Sequence, residues 1–253
     1  MPILQFIIKT PLSKDKVRFR KSGNKKNDSE PMLEFIKLLD TAPLPNVFNP
    51  WRDVDKEHDM DSFAPHIRRE QLQRYLAERR NARYMLLGEG LSYQGGHFTG
   101  IAMTSERILL GGMRHKGITP QMVFSGLVPR RTSAPAFKKN GFSENTATIV
   151  WGFMAEQRLN CQDFIFWNAF PWHPWNAARG ILSNRAPLPT ELARGRVVLQ
   201  ALLHSHQFTQ IIAVGNHAKT TLDKMGIPAA AVRHPAFGGA SLFKTQIQAI
   251  LSM

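Results

Sequence analysis

Apolar residues along this chain gather in short dense runs separated by stretches with helical spacing. Tyr84-Met85-Leu86-Leu87, Phe164-Ile165-Phe166-Trp167, Gln210-Ile211-Ile212-Ala213-Val214 and Ala230-Ala231-Val232-Arg233 have the length and the aromatic or β-branched content of buried strands. Between them the period changes. Ile67 to Ala82 places Ile67, Leu72, Tyr75 and Leu76 on one side and charges elsewhere, which predicts an amphipathic helix, and Asn145 to Leu159 predicts another. Thr190 is placed to cap a helix from Glu191 to about Ser205. Gly215-Asn216 opens a helix that Gly226 ends, and Ser241 to Leu251 closes the chain with one more. Pro31 to Lys37 reads as a short helix. Thr41 to Pro65, with Pro43, Pro45, Pro50 and Trp51, reads as an irregular wrap, and Met113 to Gly141 as mostly loop.

Strands alternating with helices predict an α/β fold, a three-layer α/β/α arrangement around a central, mainly parallel four-stranded sheet. Lys9 to Glu30 lacks periodicity and is rich in Lys, Arg, Ser, Asn and Asp. The expected organisation is therefore a basic, loosely ordered arm over residues 1–30 and a single domain over 31–253. In open parallel sheets ligands bind beyond the carboxyl ends of the strands. Four loops leave this sheet at that edge, beginning at Gly88, Asn168, Gly215 and His234.

Charge narrows the partner. With 33 Lys+Arg against 19 Asp+Glu the formal net charge is +14. The arm contributes part of the excess, but Arg68, Arg69, Arg79, Arg80, Arg130, Arg131, Lys138 and Lys139 carry it through the body, which favours a polyanion such as nucleic acid. The lone Cys161 excludes an intramolecular disulfide and a multi-thiolate metal cluster; no cofactor or metal is expected. Met1 to Ile8 is apolar but too short and wrongly flanked for a secretory signal, and no apolar run approaches the ~20 residues of a membrane span. The expectation is a cytoplasmic, nucleoid-associated monomer with no membrane partner.

The densest chemistry follows the first strand, in Gly88-Glu89-Gly90-Leu91-Ser92-Tyr93-Gln94-Gly95-Gly96-His97-Phe98-Thr99-Gly100. So many glycines let a backbone turn tightly and approach a flat or charged ligand, and we read the loop as holding a nucleobase. Two other candidate sites carry little. Gly215-Asn216-His217-Ala218-Lys219-Thr220-Thr221 lacks the second glycine of a phosphate-binding loop, and His204-Ser205-His206 with Cys161 lacks further close ligands for zinc.

Gly88-Glu89-Gly90…Gly95…Phe98-Thr99-Gly100, Asn168-Ala169-Phe170-Pro171 and His234-Pro235-Ala236 together resemble, in order and spacing, the three motifs of the uracil-DNA glycosylase superfamily, from about Tyr84 to the C-terminus. The resemblance implies a DNA repair enzyme that flips uracil out of DNA, single- or double-stranded, and hydrolyses its N-glycosidic bond, releasing free uracil and leaving an abasic site. It implies that Gly88, Gly90 and Phe98 hold the base, Phe98 by stacking, and that Asn168 reads its edge. His234 donates to uracil O2 as charge builds there, and Glu89 positions or activates the attacking water. Tyr93, with Gln94 as second choice, is the candidate for excluding the thymine methyl. Gly238, Gly239 and Ser241 would hold a phosphate at a helix start, Phe237 would fill the gap left by the flipped base, and Lys219, Arg233 and Lys244 are basic candidates for the DNA backbone. The chain departs from the superfamily pattern at Gly90, where one branch has Asp, and at Leu91, where Pro is usual. A branch with Glu at the position of Glu89 also carries an iron–sulfur cluster on four cysteines, which one cysteine cannot build. Two alternatives stay open: a module that binds uracil-containing or abasic DNA without turning it over, and a glycosylase for another deaminated base such as hypoxanthine.

Overall fold

The computed structural model describes residues 29–40 and 44–252, so all but the last two residues of the expected basic arm lie outside the described residues. The four apolar runs form one sheet. Tyr84–Gly90 (β2), Phe164–Phe170 (β3), Gln210–Val214 (β5) and Ala230–Val232 (β6) are parallel throughout, in the order β3-β2-β5-β6. Val47–Phe48 (β1) pairs antiparallel with His173–Pro174 (β4) as a separate ribbon. The irregular wrap therefore does contain a strand, which a two-residue element leaves invisible to periodicity.

Helices flank the sheet: Ser29–Leu39 (α1), Ala64–Glu78 (α2), Asn145–Glu156 (α6), Pro189–Ser205 (α7), Asn216–Lys224 (α8) and Ala240–Leu251 (α9). Single-turn pieces, Gly96–Thr99 (α3), Glu106–Leu109 (α4) and Pro120–Val123 (α5), lie in the crossover between β2 and β3. The predicted loop over 113–141 thus holds one short helix and a 3-10 turn at Arg114–Lys116. The α7 start also differs from the expectation: Pro189 occupies the first turn, where its missing N–H costs nothing, and Leu188 rather than Thr190 is the cap residue. Glu191 Oε2 then accepts the Leu188 N–H at 2.7 Å.

Burial explains the sheet. All seven residues of β3 are buried although it is an edge strand, because side chains of α2 take its outward backbone groups. Tyr75 Oη accepts the Phe166 N–H at 2.8 Å, and Arg79 Nε donates to the Phe164 carbonyl at 3.0 Å. Trp167 stacks on Trp51 of the wrap and tilts against Phe35 of α1. No helix among the described residues is long and apolar enough to cross a membrane.

Candidate functional site

Register brings the first two motifs together. β2 and β3 both continue past their apolar runs, so that Gly88 pairs with Asn168 and Gly90 with Phe170. Gly88 is required here for space: a Cβ would fall 2.5 Å from Asn168 Oδ1. Asn168 is 3% exposed, and its amide makes no side-chain hydrogen bond among the described residues. A buried amide usually has its bonds filled, because an unmet one costs about 1–3 kcal/mol. This one is held open at the ligand edge of the sheet.

His234 follows β6, and Gly215, at the end of β5, leaves room for its ring: a Cβ on Gly215 would lie 3.1 Å from His234 Cβ. The Ala236 N–H donates to His234 Nδ1 at 3.2 Å. Nδ1 is therefore the acceptor, and the proton of the neutral ring sits on Nε2. Burial and the neighbouring Arg233 hold the ring below its ordinary value, which favours that neutral form at pH 7.

Glu89 is half-buried and carries a raised pKa, because burial outweighs the favourable charge of His217, whose Nδ1 lies 3.2 Å from Glu89 Oε1. His217, in the first turn of α8, was absent from the sequence-based set. Its signal was the loop after the third strand, which leaves the sheet at the same edge.

The remaining expected residues divide. Ser92 turns the glycine loop by accepting the Gly95 and His97 N–H groups. Tyr93 and Gln94 are half-buried behind this turn, held by Asn184, whose Oδ1 accepts the Tyr93 N–H at 3.0 Å while its Nδ2 donates to Ser92 Oγ at 3.2 Å. Gly90 packs against Pro187 and Pro174. Phe98 is 1% exposed, with Phe142 stacked on it at 4.2 Å and 18°. It is core-like in this state, and a base could reach its ring only after local movement. Phe237, by contrast, is 97% exposed and sits at φ 53° beside Gly238 at φ 76°, a left-handed turn that lifts an aromatic ring off the surface. Gly239 passes so close to the His234 carbonyl that a Cβ would collide, and it caps α9, where Ser241 is exposed. Of the basic candidates, Lys219 pairs with Asp223, Lys244 bonds both oxygens of Glu156 at 2.7 Å, and Arg233 stands exposed at the His234 edge. Two lysines are thus already occupied by carboxylates.

Cys161 is no nucleophile, since burial pushes its thiol up to about 11. Among the described residues no group of His, Cys, Asp and Glu could hold a metal ion. No family model and no curated protein matches the chain. Among solved structures it is similar to the wild-type SMUG2 protein of Pedobacter heparinus, with a TM-score of 0.55 and 14% identity over 89% of this chain and 99% of that one. At that identity the likeness establishes a shared fold, the α/β architecture built around a parallel sheet.

Proposed function

We propose that this protein is a DNA glycosylase that flips uracil from DNA and hydrolyses its N-glycosidic bond. The observation that carries this reading is the buried, unpartnered Asn168 amide facing Gly88 at the strand ends, with a neutral His234 on the neighbouring strand end. The shared fold supports it, since Pedobacter heparinus SMUG2 is a uracil-DNA glycosylase superfamily member.

On this reading, Asn168 accepts from uracil N3–H and donates to O4, a pattern that cytosine reverses. The C1′–N1 bond breaks with its electron pair moving onto the base. His234 Nε2–H donates to O2 as that charge gathers, which is worth about 3 kcal/mol for a preorganised donor. Glu89, as a carboxylate, faces the cationic sugar and takes a proton from the water that adds at C1′. Phe237 enters the gap in the duplex, and the backbone at Gly238, Gly239 and Ser241 holds a phosphate. Arg233 is the basic side chain free to join them. The N1–H and O6 of hypoxanthine present the same pattern to Asn168, so base range falls to Tyr93 and Gln94 rather than to the amide.

Single-turnover assays on single-stranded and duplex DNA carrying uracil, hypoxanthine or no lesion test this. The expected result is alkali-labile scission at uracil, lost in Asn168→Ala and His234→Ala. No scission by the wild type on any lesion would overturn the enzyme reading, and tight retention of the same DNA would then identify a binding module.

A further inference from the structure

Beneath the glycine loop runs a chain of buried titratable groups that the proposed reaction does not use. Asp55 Oδ2 lies 3.1 Å from His97 Nε2, His97 Nδ1 lies 2.9 Å from His173 Nδ1, and His173 Nε2 lies 2.8 Å from the Ser183 carbonyl oxygen. Asp55, His97 and His173 are all buried. The chain ties four segments together: the wrap, α3, β4 and the segment whose Asn184 caps Ser92 and Tyr93. The glycine loop is thereby gripped at its start by Asn184 and at its end by His97, the neighbour of Phe98.

Proton counting decides the state of this chain. Both ends are acceptors, so three links need three protons on ring nitrogens, and two neutral imidazoles supply two. Asp55 does not supply the third. Its oxygens already accept the Glu57 N–H at 3.3 Å, the His58 N–H at 3.2 Å and His58 Nδ1 at 3.0 Å, and these bonds with the His97 and His58 charges outweigh burial and hold it well below the usual carboxylate range. His173 must donate from Nε2 to reach Ser183, which leaves its Nδ1 an acceptor; burial holds this ring down to about 3. Both remaining protons fall on His97.

Charge gives the same answer. Asp55 and Asp59 are buried with one buried cation, Arg68, which grips Asp59 at 2.8 and 3.0 Å and donates to the His97 carbonyl at 3.2 Å. One more positive charge makes the cluster neutral, and an unpaired buried carboxylate is costly. The Phe48 ring stacks on His97 at 4.0 Å and 12°, a favourable seat for a flat cation. Burial pushes His97 toward the neutral form, and its bond to Asp55 pulls the other way.

We infer that His97 is a buried imidazolium paired with Asp55, and that it is a positioning residue which holds the glycine loop in register with the strand ends. The role of that loop rests on the function proposed above; the protonation state does not. As pH rises through the titration of His97 the chain loses a link, so the hold is present at lower pH and lost at higher pH.

Long-range proton–nitrogen correlation on the full chain with 15N-labelled histidine tests the state directly, with His97 assigned through its contact to the Phe48 ring. Both ring nitrogens protonated at pH 7 is the expected result, and one bare nitrogen would overturn it. Amide exchange across the ring titration tests the positioning. Protection of residues 92–99 is expected to fall about tenfold while β2 and β5 keep theirs; unchanged protection of the loop would refute the positioning role. Neither measurement reads base removal, so failure here is distinct from failure of the glycosylase reading.

Discussion

Two clusters of the same residue types lie within one loop of each other and are built on opposite rules. In the floor, Asn49 is buried with its amide filled, donating to the Leu39 carbonyl at 2.6 Å and accepting the Trp51 N–H at 3.1 Å, and His97 and His173 each use both ring nitrogens. At the strand ends, Asn168 is as deeply buried with nothing bound, and His234 uses only Nδ1. A buried polar group with every bond met fixes a scaffold, whereas one left open costs stability and is kept where something from outside completes it. Satisfaction, more than burial or residue type, separates the frame from the site.

The largest expected effect strikes the frame. Arg68→Met leaves Asp59 and Asp55 buried without their cation, and should lower unfolding stability in denaturant by about 3–5 kcal/mol; a loss under about 1 kcal/mol would break the distinction. At the strand ends the effect should move from stability to rate. His234→Ala and Asn168→Ala should each slow uracil excision about 100- to 1000-fold in single-turnover assays while changing stability by no more than about 0.5 kcal/mol. Gly88→Ala, whose methyl displaces the Asn168 amide, should show the same split at about tenfold or more.

pH sharpens the contrast further. If Glu89 acts as a carboxylate, excision falls as pH drops through its raised pKa, so the acid limb lies above the ordinary glutamate range. His217→Ala removes the charge that opposes the shift, and should move that limb upward by less than about one pH unit, since the pair is partly exposed.

The smallest effect comes from an exception. Glu144 has a buried Oε2 without a partner beside Gly95, away from the strand-end residues, and burial pushes its carboxyl up to about 7. The folded chain then holds a proton that the unfolded chain releases at lower pH, so stability falls as pH rises through that window. Glu144→Gln should flatten the profile and gain about 1 kcal/mol at pH 8, read by thermal unfolding. No gain would mean the carboxyl has found a partner. An open bond therefore marks a site only when it converges with others.

Much of this was legible from one dimension. The four strands, the parallel sheet and its ligand edge followed from apolar runs of strand length alternating with helical spacing, and Gly88, Asn168 and His234 stood out because each ended a strand. Asp55, His58, His97 and His173 gave no such signal. They sit far apart in irregular segments or two-residue strands, and their meaning lies in contacts between segments separated by as many as 76 positions. Phe98 carried a motif signal, yet its packing against Phe142 depends on how the long crossover folds back.

The sequence by itself determined the sheet, because strand identity and order are local properties of apolar runs and their spacing. It also placed a glycine, an amide and an imidazole at successive strand ends. Only the tertiary structure decided which polar groups were already spent on one another and which were left open. Hydrogen-bond satisfaction is a property of pairs, and the partners here come from segments that meet only when the chain is folded.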